Sequence, residues 1–480
     1  MQSSNKCYRG TDESQSTVLE KDDFSSIVQD DHCVGSTTCR QEVLYKRVKL
    51  TRKRHQNNTR KFETYAEKKL NVLNSTKSSM EMARGIASSK SQRGQDDAFY
   101  VMNVNTVIRR LMEWKTNLPR VEPFYAVKCN DDPVLMKVLA SFGCGFDVAS
   151  KVECTKAIKL VPKDKIVYAN PIKTNSFIKR ARELDIGMMT FDTVEELDKV
   201  ARLYPKAKLI LRIATNDSSA KCRLSMKFGC DALKDGPHIL KAACERGIDV
   251  IGIAFHVGSG CNDPTTFQEA IMESRALFDI GTSFGHEMKL LDIGGGFPGG
   301  EAEIGSFENM ARLIGSCLDE YFPASEGVRI IAEPGRFFAH ATFSLVTNVI
   351  GVKKVGAERF DDSGGTNNDD IPGFMYYMND GVYGSFNCIF FDHTSPEGQP
   401  LFSKEGEDCF PCTIWGPTCD GLDQVEKRRM MPALSIGDWL YYEEMGAYTC
   451  SAASTFNGFA KPRVYYFADE NTWKLIADST

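Results

Sequence analysis

Between Pro123 and Phe338 the chain repeats one pattern eight times: a short apolar run of strand composition, then a segment of helical periodicity. The apolar runs fall at about 123–128, 145–149, 166–169, 187–191, 208–214, 250–256, 288–293 and 328–332. Helical patterns fill most gaps, over 133–142, 150–160, 176–183, 194–203, 236–246 and 264–281. Strands that alternate with helices predict a parallel sheet, because parallel neighbours need a crossover to connect them. Eight near-regular units predict that the sheet closes into a (β/α)8 TIM barrel, with a doubly wound open sheet as the alternative.

Barrels of this kind carry their sites at the C-terminal ends of the strands. The polar residues fall at those ends. The first run ends at Lys128, the second at Asp147 and the third at Asn170, and the fifth carries Arg212. The sixth ends in His256-Val257-Gly258-Ser259-Gly260, the seventh in Asp292-Ile293-Gly294-Gly295-Gly296, and the eighth in Glu333-Pro334-Gly335-Arg336. One such residue is an accident of a strand end; recurrence at the same end of successive strands predicts a site.

Lys128 is the sharpest of these residues. A lysine ending a buried strand either snorkels to water or is neutralised chemically, as by a Schiff base with an aldehyde cofactor. The glycine run after the seventh strand and Arg336 after the eighth form the usual phosphate position of a barrel: backbone N–H groups approach closely and the guanidinium binds in a fork. Ser259 adds a hydroxyl. A strand-end lysine beside a phosphate site suggests pyridoxal phosphate, with Glu333 placed to meet the pyridine nitrogen and His256 to stack on the ring. The bland readings are a Glu333–Arg336 ion pair that holds the loop and a satisfied core histidine.

Outside this span the signal changes. Beyond about residue 340 alternating strands take over, at 342–350, 374–378, 386–391, 413–415, 439–443 and 464–467, which predicts a second, all-β, Greek-key-like domain over 341–480. Residues 1–94 are polar with little periodicity and read as a largely disordered extension ahead of a barrel domain at 95–340. The basic run 46–54 reads as a solvated tail, and the acidic Gly/Asn-rich stretch 361–370 as a mobile loop. Before the first barrel strand come a short strand at 98–102 and a helix at about 106–116.

The formal net charge of −5 gives no pull toward nucleic acid or anionic membrane. No stretch reaches the roughly 18 apolar residues of a membrane helix, and the polar, acid-bearing N-terminus fits neither a secretory signal nor a presequence. The 16 cysteines are scattered, which suits free thiols in a reducing cytoplasm better than a disulfide framework. Cys409 and Cys412 form a CxxC with Cys419 nearby, but no fourth ligand at a zinc spacing, so no metal is expected.

Eight longer motifs carry a resemblance: PFYAVKCN at 123–130, GFDVAS at 145–150, HVGSGC at 256–261, LDIGGGFPG at 291–299, AEPGR at 332–336, NDGVYGSFNC at 379–388, WGPTCDGLD at 415–423 and MGAYT at 445–449. From about residue 95 onward the chain resembles the eukaryotic ornithine decarboxylases, of the fold type III pyridoxal-phosphate-dependent decarboxylase family. The resemblance implies a barrel plus a β domain, pyridoxal 5'-phosphate as cofactor, and a carboxy-lyase that turns ornithine into putrescine. It implies that Lys128 carries the cofactor, His256 stacks on its ring and Glu333 pairs with its nitrogen. Ser259, Gly294, Gly295, Gly296, Arg336 and Tyr448 would hold the phosphate, with Pro334, Gly335 and Arg212 at the same strand ends. Asp147 and Glu153 would support Lys128.

It further implies a homodimer with shared sites. Cys419 and Asp420 would enter from the partner subunit, Asp392 and Asp420 would bind the distal amine of the substrate, and Cys419 would protonate the α-carbon. An ordinary thiol is largely protonated at neutral pH, which suits that task. Two carboxylates facing one terminal ammonium favour a diamino acid, and Asp at 392 favours ornithine over arginine and, less firmly, over lysine.

The chain departs from the pattern at Phe391, where many relatives carry tyrosine, and turnover through the C-terminal degradation tail of mammalian relatives is not expected of it. The regulatory partner antizyme binds a surface corresponding to about 174–200, where Lys179, Arg180 and Arg182 are compatible with it. The alternatives are a catalytically inactive antizyme-binding homologue and a lysine or arginine decarboxylase of the same family.

Overall fold

The computed structural model describes residues 61–360, 372–404 and 406–479. The basic run 46–54, the acidic stretch 361–370 and the expected disorder of residues 1–60 lie outside the described residues.

The eight predicted runs form a closed barrel. Its strands are Val121–Ala126, Gly145–Val148, Ile166–Tyr168, Met188–Phe191, Lys208–Arg212, Val250–Ala254, Leu290–Asp292 and Arg329–Ala332. Each pairs in parallel with the next, and the eighth returns to the first through Ile330 opposite Val121. The interior is filled by Phe124, Val167, Ile210, Ala254, Leu290 and Ile331, so the barrel is a packed core rather than a pore. The surrounding helices start where the sequence supplies caps: Asp132 accepts from the N–H groups of Val134 and Leu135, and Ser150 from that of Glu153.

At the N-terminal end of the barrel, Glu122 is gripped by Arg329, at 3.0 and 2.8 Å, and by Lys165 at 2.6 Å. These contacts, Arg329 first, hold the Glu122 carboxyl down at about 2.

The second domain is a ten-stranded mixed sheet. Its long central strand, Phe343–Gly356, pairs with Phe99–Asn103, Trp439–Tyr442 and Pro372–Met378. Pro372–Met378 continues to Cys409–Trp415 and Gln424–Pro432. On the other side Phe99–Asn103 continues to Arg463–Asp469 and then to the hairpin Lys61–Tyr65 and Lys68–Leu73. Three of these pairings are parallel, between 68–73 and 463–469, 463–469 and 99–103, and 372–378 and 409–415.

The sheet therefore draws on both ends of the chain, which alters the expected boundaries. The strand 99–103, expected to lead into the barrel, is buried in the sheet, and residues 61–92, expected to be disordered, supply a hairpin and the helix Ser79–Gln92. The cause is tertiary. Leu70, Val72 and Leu73 are buried, but their lysine-rich neighbours hide the alternation, and their pairing partner lies far away in sequence.

A second difference falls at 386–391. These residues read as a strand but form a 3-10 turn, Ser385–Asn387, and a short helix, Cys388–Phe391. Asp380 accepts from the N–H groups of Gly381 and Ser385, and the Asn387 side chain donates to the carbonyls of Gly384 and Thr449. Local side-chain bonds of this kind compete with a strand ladder. The strand Gln424–Pro432 lacks a clear strand pattern in the sequence because charged residues line its exposed face.

Candidate active site

The first barrel strand stops at Ala126, and a single 3-10 turn, Val127–Cys129, swings Lys128 over the barrel mouth. Its Nζ is bonded to Asp147 on the neighbouring strand. Burial alone would push this ammonium down, but Asp147 and Glu333 hold it above the ordinary lysine value. About 40% of the side chain remains accessible, so the amine faces both the acids and the cleft.

Behind Lys128 lies an acid-rich patch. Asp147, Asp292 and Glu333 are all buried at the ends of strands two, seven and eight. Asp292 accepts from the Gly294 N–H at 2.9 Å, while Asp292 Oδ2 and Asp147 Oδ1 have no partner among the described residues. Burial, then repulsion from Asp292 and Asp147, pushes the Glu333 carboxyl well up. Burial pushes Asp292 up to about 7. Neighbouring buried carboxyls cannot all ionise, so a proton is retained between Asp292 and Glu333.

His256 is forced far below its usual value, first by burial and then by Arg212 and Lys128. The ring is therefore neutral at neutral pH. Its Nδ1 accepts from the Gly258 N–H at 3.0 Å, which leaves the ring proton on Nε2.

Above these groups sits a glycine-lined cup. Gly294 adopts a φ of +62°, and a Cβ there would fall 2.1 Å from the Phe255 carbonyl oxygen. A Cβ on Gly295 would fall 2.8 Å from His256 Nε2, so only glycine keeps the floor open. Arg336 Nη2 donates to Ser259 Oγ at 3.1 Å and to Asp392 Oδ1 at 2.5 Å, and its guanidinium lies over the Tyr448 ring at 5.3 Å. Tyr448 itself has a φ of +55° and donates its N–H to the carbonyl of Cys129, which ties the sheet domain to the turn that carries Lys128. Together they bound a cleft lined by Lys128, His256, Ser259, Gly295, Gly296, Glu333, Gly335, Arg336 and Tyr448.

The structure thus brings most of the predicted residues together, with exceptions. Glu153 turns back to accept from the Ala149 N–H at 2.6 Å and closes the helix start rather than lining the cleft. Arg212 lies behind the wall, with its guanidinium over Phe228 and its Nε unpartnered among the described residues. Gly294 and Pro334 shape the backbone from outside the lining. Asp392 is buried on Arg336, with Oδ2 unpartnered among the described residues. The expected alternative, a Glu333–Arg336 ion pair, is replaced by this Arg336–Asp392 pair. Cys419 and Asp420 do not line this chain's cleft; Cys419 is exposed, and Asp420 accepts from the Tyr383 hydroxyl, which holds its carboxyl below the usual range. Asp292 is legible in the sequence as a strand end, but its partnership with Glu333 spans 41 residues and no local pattern announces it.

The cleft fits pyridoxal phosphate. It offers an amine, a glycine-lined cup with a guanidinium and hydroxyls for a phosphate, and a proton-holding carboxyl in the same lining as a neutral imidazole. A barrel with this site defines the class: the pyridoxal-dependent decarboxylases. In keeping with it, the family profile "Pyridoxal-dependent decarboxylase, pyridoxal binding domain" matches residues 104–340. Ornithine decarboxylase of Caenorhabditis elegans is 49% identical over 420 residues, spanning 87% of this chain and 99% of the nematode protein. Antizyme inhibitor 2 of Xenopus laevis is 46% identical, spanning 82% of this chain and 86% of the frog protein. Among solved structures, the arginine decarboxylase of Paramecium bursaria Chlorella virus, bound to agmatine, superposes with a TM-score of 0.74 at 35% identity and covers 81% of this chain and 100% of its own. The chain belongs to the eukaryotic ornithine decarboxylase family.

Proposed function

We propose that this chain decarboxylates L-ornithine to putrescine and carbon dioxide with pyridoxal phosphate as cofactor, the entry step of polyamine biosynthesis. The observation that carries the reading is the Lys128 amine held beside buried acids at the floor of a cup that suits a phosphate. Bound in the cleft, the cofactor supplies a protonated ring that takes up the electron pair left when carbon dioxide departs.

The chain's own residues do the rest. Lys128 binds the cofactor's aldehyde carbon, and Asp147 orients the amine. Glu333, kept proton-rich by its neighbours, holds the proton at the ring nitrogen. The neutral imidazole of His256 forms a flat wall against the ring. Ser259, the Gly294–Gly296 backbone, Gly335, Arg336 and Tyr448 hold the phosphate. Asp392 and Asp420 bind the distal ammonium of the substrate, and Cys419 delivers a proton to the α-carbon.

Cys419 and Asp420 reach the cleft from a second copy of the chain, so the working unit is a homodimer with shared sites. That arrangement accounts for their position outside this chain's own cleft. Mixing Lys128→Ala with Cys419→Ala subunits then restores activity, because mixed dimers rebuild one intact site; no recovery despite proven subunit exchange argues against sharing. The cytoplasm as the place of action rests on the free thiols; among the described residues no helix is long and apolar enough to cross a membrane.

The deciding experiment is carbon dioxide release from ornithine, lysine and arginine by purified protein with pyridoxal phosphate. Strong preference for ornithine is expected; preference for lysine or arginine overturns the substrate. A second reading, an inactive antizyme-binding homologue, draws on the likeness to the frog antizyme inhibitor and on the exposed Lys179 and Arg182 of the segment about 174–200. It requires tight antizyme binding with no release from any substrate.

A further inference from the structure

Arg110 is a fully buried cation outside the site and is not used by the chemistry above. Arg110 lies on the helix Val104–Asn117, which precedes the first barrel strand, and its side chain is 1% exposed. A buried guanidinium needs several acceptors to offset desolvation. Arg110 finds them on the loop that leaves the glycine cup: Nη2 donates to the carbonyls of Gly299 and Gly300, both at 3.0 Å. Nη1 donates to Glu113 at 3.2 Å, and Glu301 lies 3.6 Å from Nη2. The flat face of the guanidinium packs 5.3 Å from the Phe337 ring centre.

These contacts converge on the two halves of the cup. Gly299 ends the strand-seven loop, and Phe337 directly follows Arg336 on the strand-eight turn. The halves touch: a Cβ on Gly299 would fall 2.4 Å from the Arg336 carbonyl oxygen. The loop's other groups are also fastened. Glu303 accepts from the N–H groups of Gly299 and Gly300, and Glu444 of the sheet domain accepts from that of Glu301 at 2.6 Å. Arg110 therefore grips the glycine loop by its carbonyls and the Arg336 turn by its aromatic neighbour, and sets the spacing between them.

We propose that Arg110 is a positioning residue for the cofactor's phosphate: it never touches the phosphate but holds the glycine loop and Arg336 in register around it. The proposal rests on the reading that this cup takes the phosphate of pyridoxal phosphate. It separates the phosphate end of the site, which depends on Arg110, from the Lys128 end, which does not.

The test is equilibrium dialysis of the full-length protein against pyridoxal phosphate and against pyridoxal, which lacks the phosphate. Arg110→Met is expected to raise the dissociation constant for pyridoxal phosphate by about tenfold and that for pyridoxal by less than about twofold. Arg110→Lys should restore pyridoxal phosphate affinity to within about threefold, since a single nitrogen makes both carbonyl bonds. Unchanged pyridoxal phosphate affinity in Arg110→Met overturns the proposal, as does an equal loss for both ligands, which marks a merely structural role. If Arg110→Met does not fold, Glu113→Ala decides: a loss of about threefold confined to the phosphorylated ligand supports the proposal, and no change overturns it. Failure of the unaltered protein to bind pyridoxal phosphate saturably overturns the underlying reading instead.

Discussion

At the N-terminal end of the barrel one carboxylate, Glu122, faces two cations, Arg329 and Lys165. At the C-terminal end three carboxylates, Asp147, Asp292 and Glu333, face Lys128 and Arg212. The strands are the same; the charge balance and the burial are reversed. Where cations outnumber acids at the solvent's edge, the carboxyl is held down and the cluster staples strands together. Where acids outnumber cations in a buried mouth, carboxyls are pushed up and a proton is stored. The first arrangement serves stability. The second strains the fold to keep a charged amine and a held proton within reach of a ligand, as expected where sites are built.

The largest expected contrast is between the two lysines. Lys128→Ala should lower the rate of carbon dioxide release from ornithine by at least about 10³-fold, because the covalent anchor is gone. Lys165→Met should leave that rate within about twofold and cost no more than about 1 kcal/mol of stability, since its ion pair is partly exposed and screened. Release assays with each variant, alongside urea unfolding, check both; similar losses of activity would erase the distinction between the ends.

Next come the paired glutamates. Glu333→Gln should lower kcat on the order of 10²-fold while leaving the protein as stable or more so, because it removes a carboxyl that resists ionisation. Glu122→Gln should leave kcat unchanged and cost about 0.5–1 kcal/mol, discounted for its exposure.

The smallest effect is in the pH dependence of stability, and its sign differs between the ends. Asp292 has a folded value of about 7, above its ordinary 3.8, so the folded state holds a proton that the unfolded state has lost. Its contribution is full below its ordinary value and declines as pH rises toward about 7. Asp292→Asn should flatten that decline in urea titrations taken across this range. Glu122, with a folded value of about 2 against an ordinary 4.5, behaves oppositely: its contribution is present above its ordinary value and fades as pH falls toward about 2. Glu122→Gln should therefore change only the acid limb. The same limb flattened by both variants would contradict the comparison.

The barrel and its mouth were legible because both obey a period. Alternation of strand and helix announces the closed sheet, and the period fixes which ends face the same way, so Lys128, Asp147, His256, Glu333 and Arg336 could be gathered before any contact was known. What escaped depends on pairings that no period encodes. Asp292 meets Glu333 across two strands, and Arg336 chooses Asp392 rather than Glu333 because the sheet domain brings that aspartate to it. Arg110 reads as an ordinary helix residue until the loop at Gly299 closes over it. The segment 386–391 has the apolar run of a strand, but Asp380 and Asn387 satisfy its backbone locally.

The sheet that joins residues 61–103 to residues 463–469 has a consequence for how the protein is made. Synthesis runs from the N-terminus, so the early hairpin and the strand 99–103 leave the ribosome long before Arg463–Asp469 exists to sit between them. Until then their edges are unpaired and open to wrong partners. The barrel, whose pairs are mostly sequential neighbours, can assemble during that wait, while the sheet cannot be completed until the last strand arrives. A nascent chain stalled before residue 463 should therefore carry a folded barrel and an exposed, sticky flank.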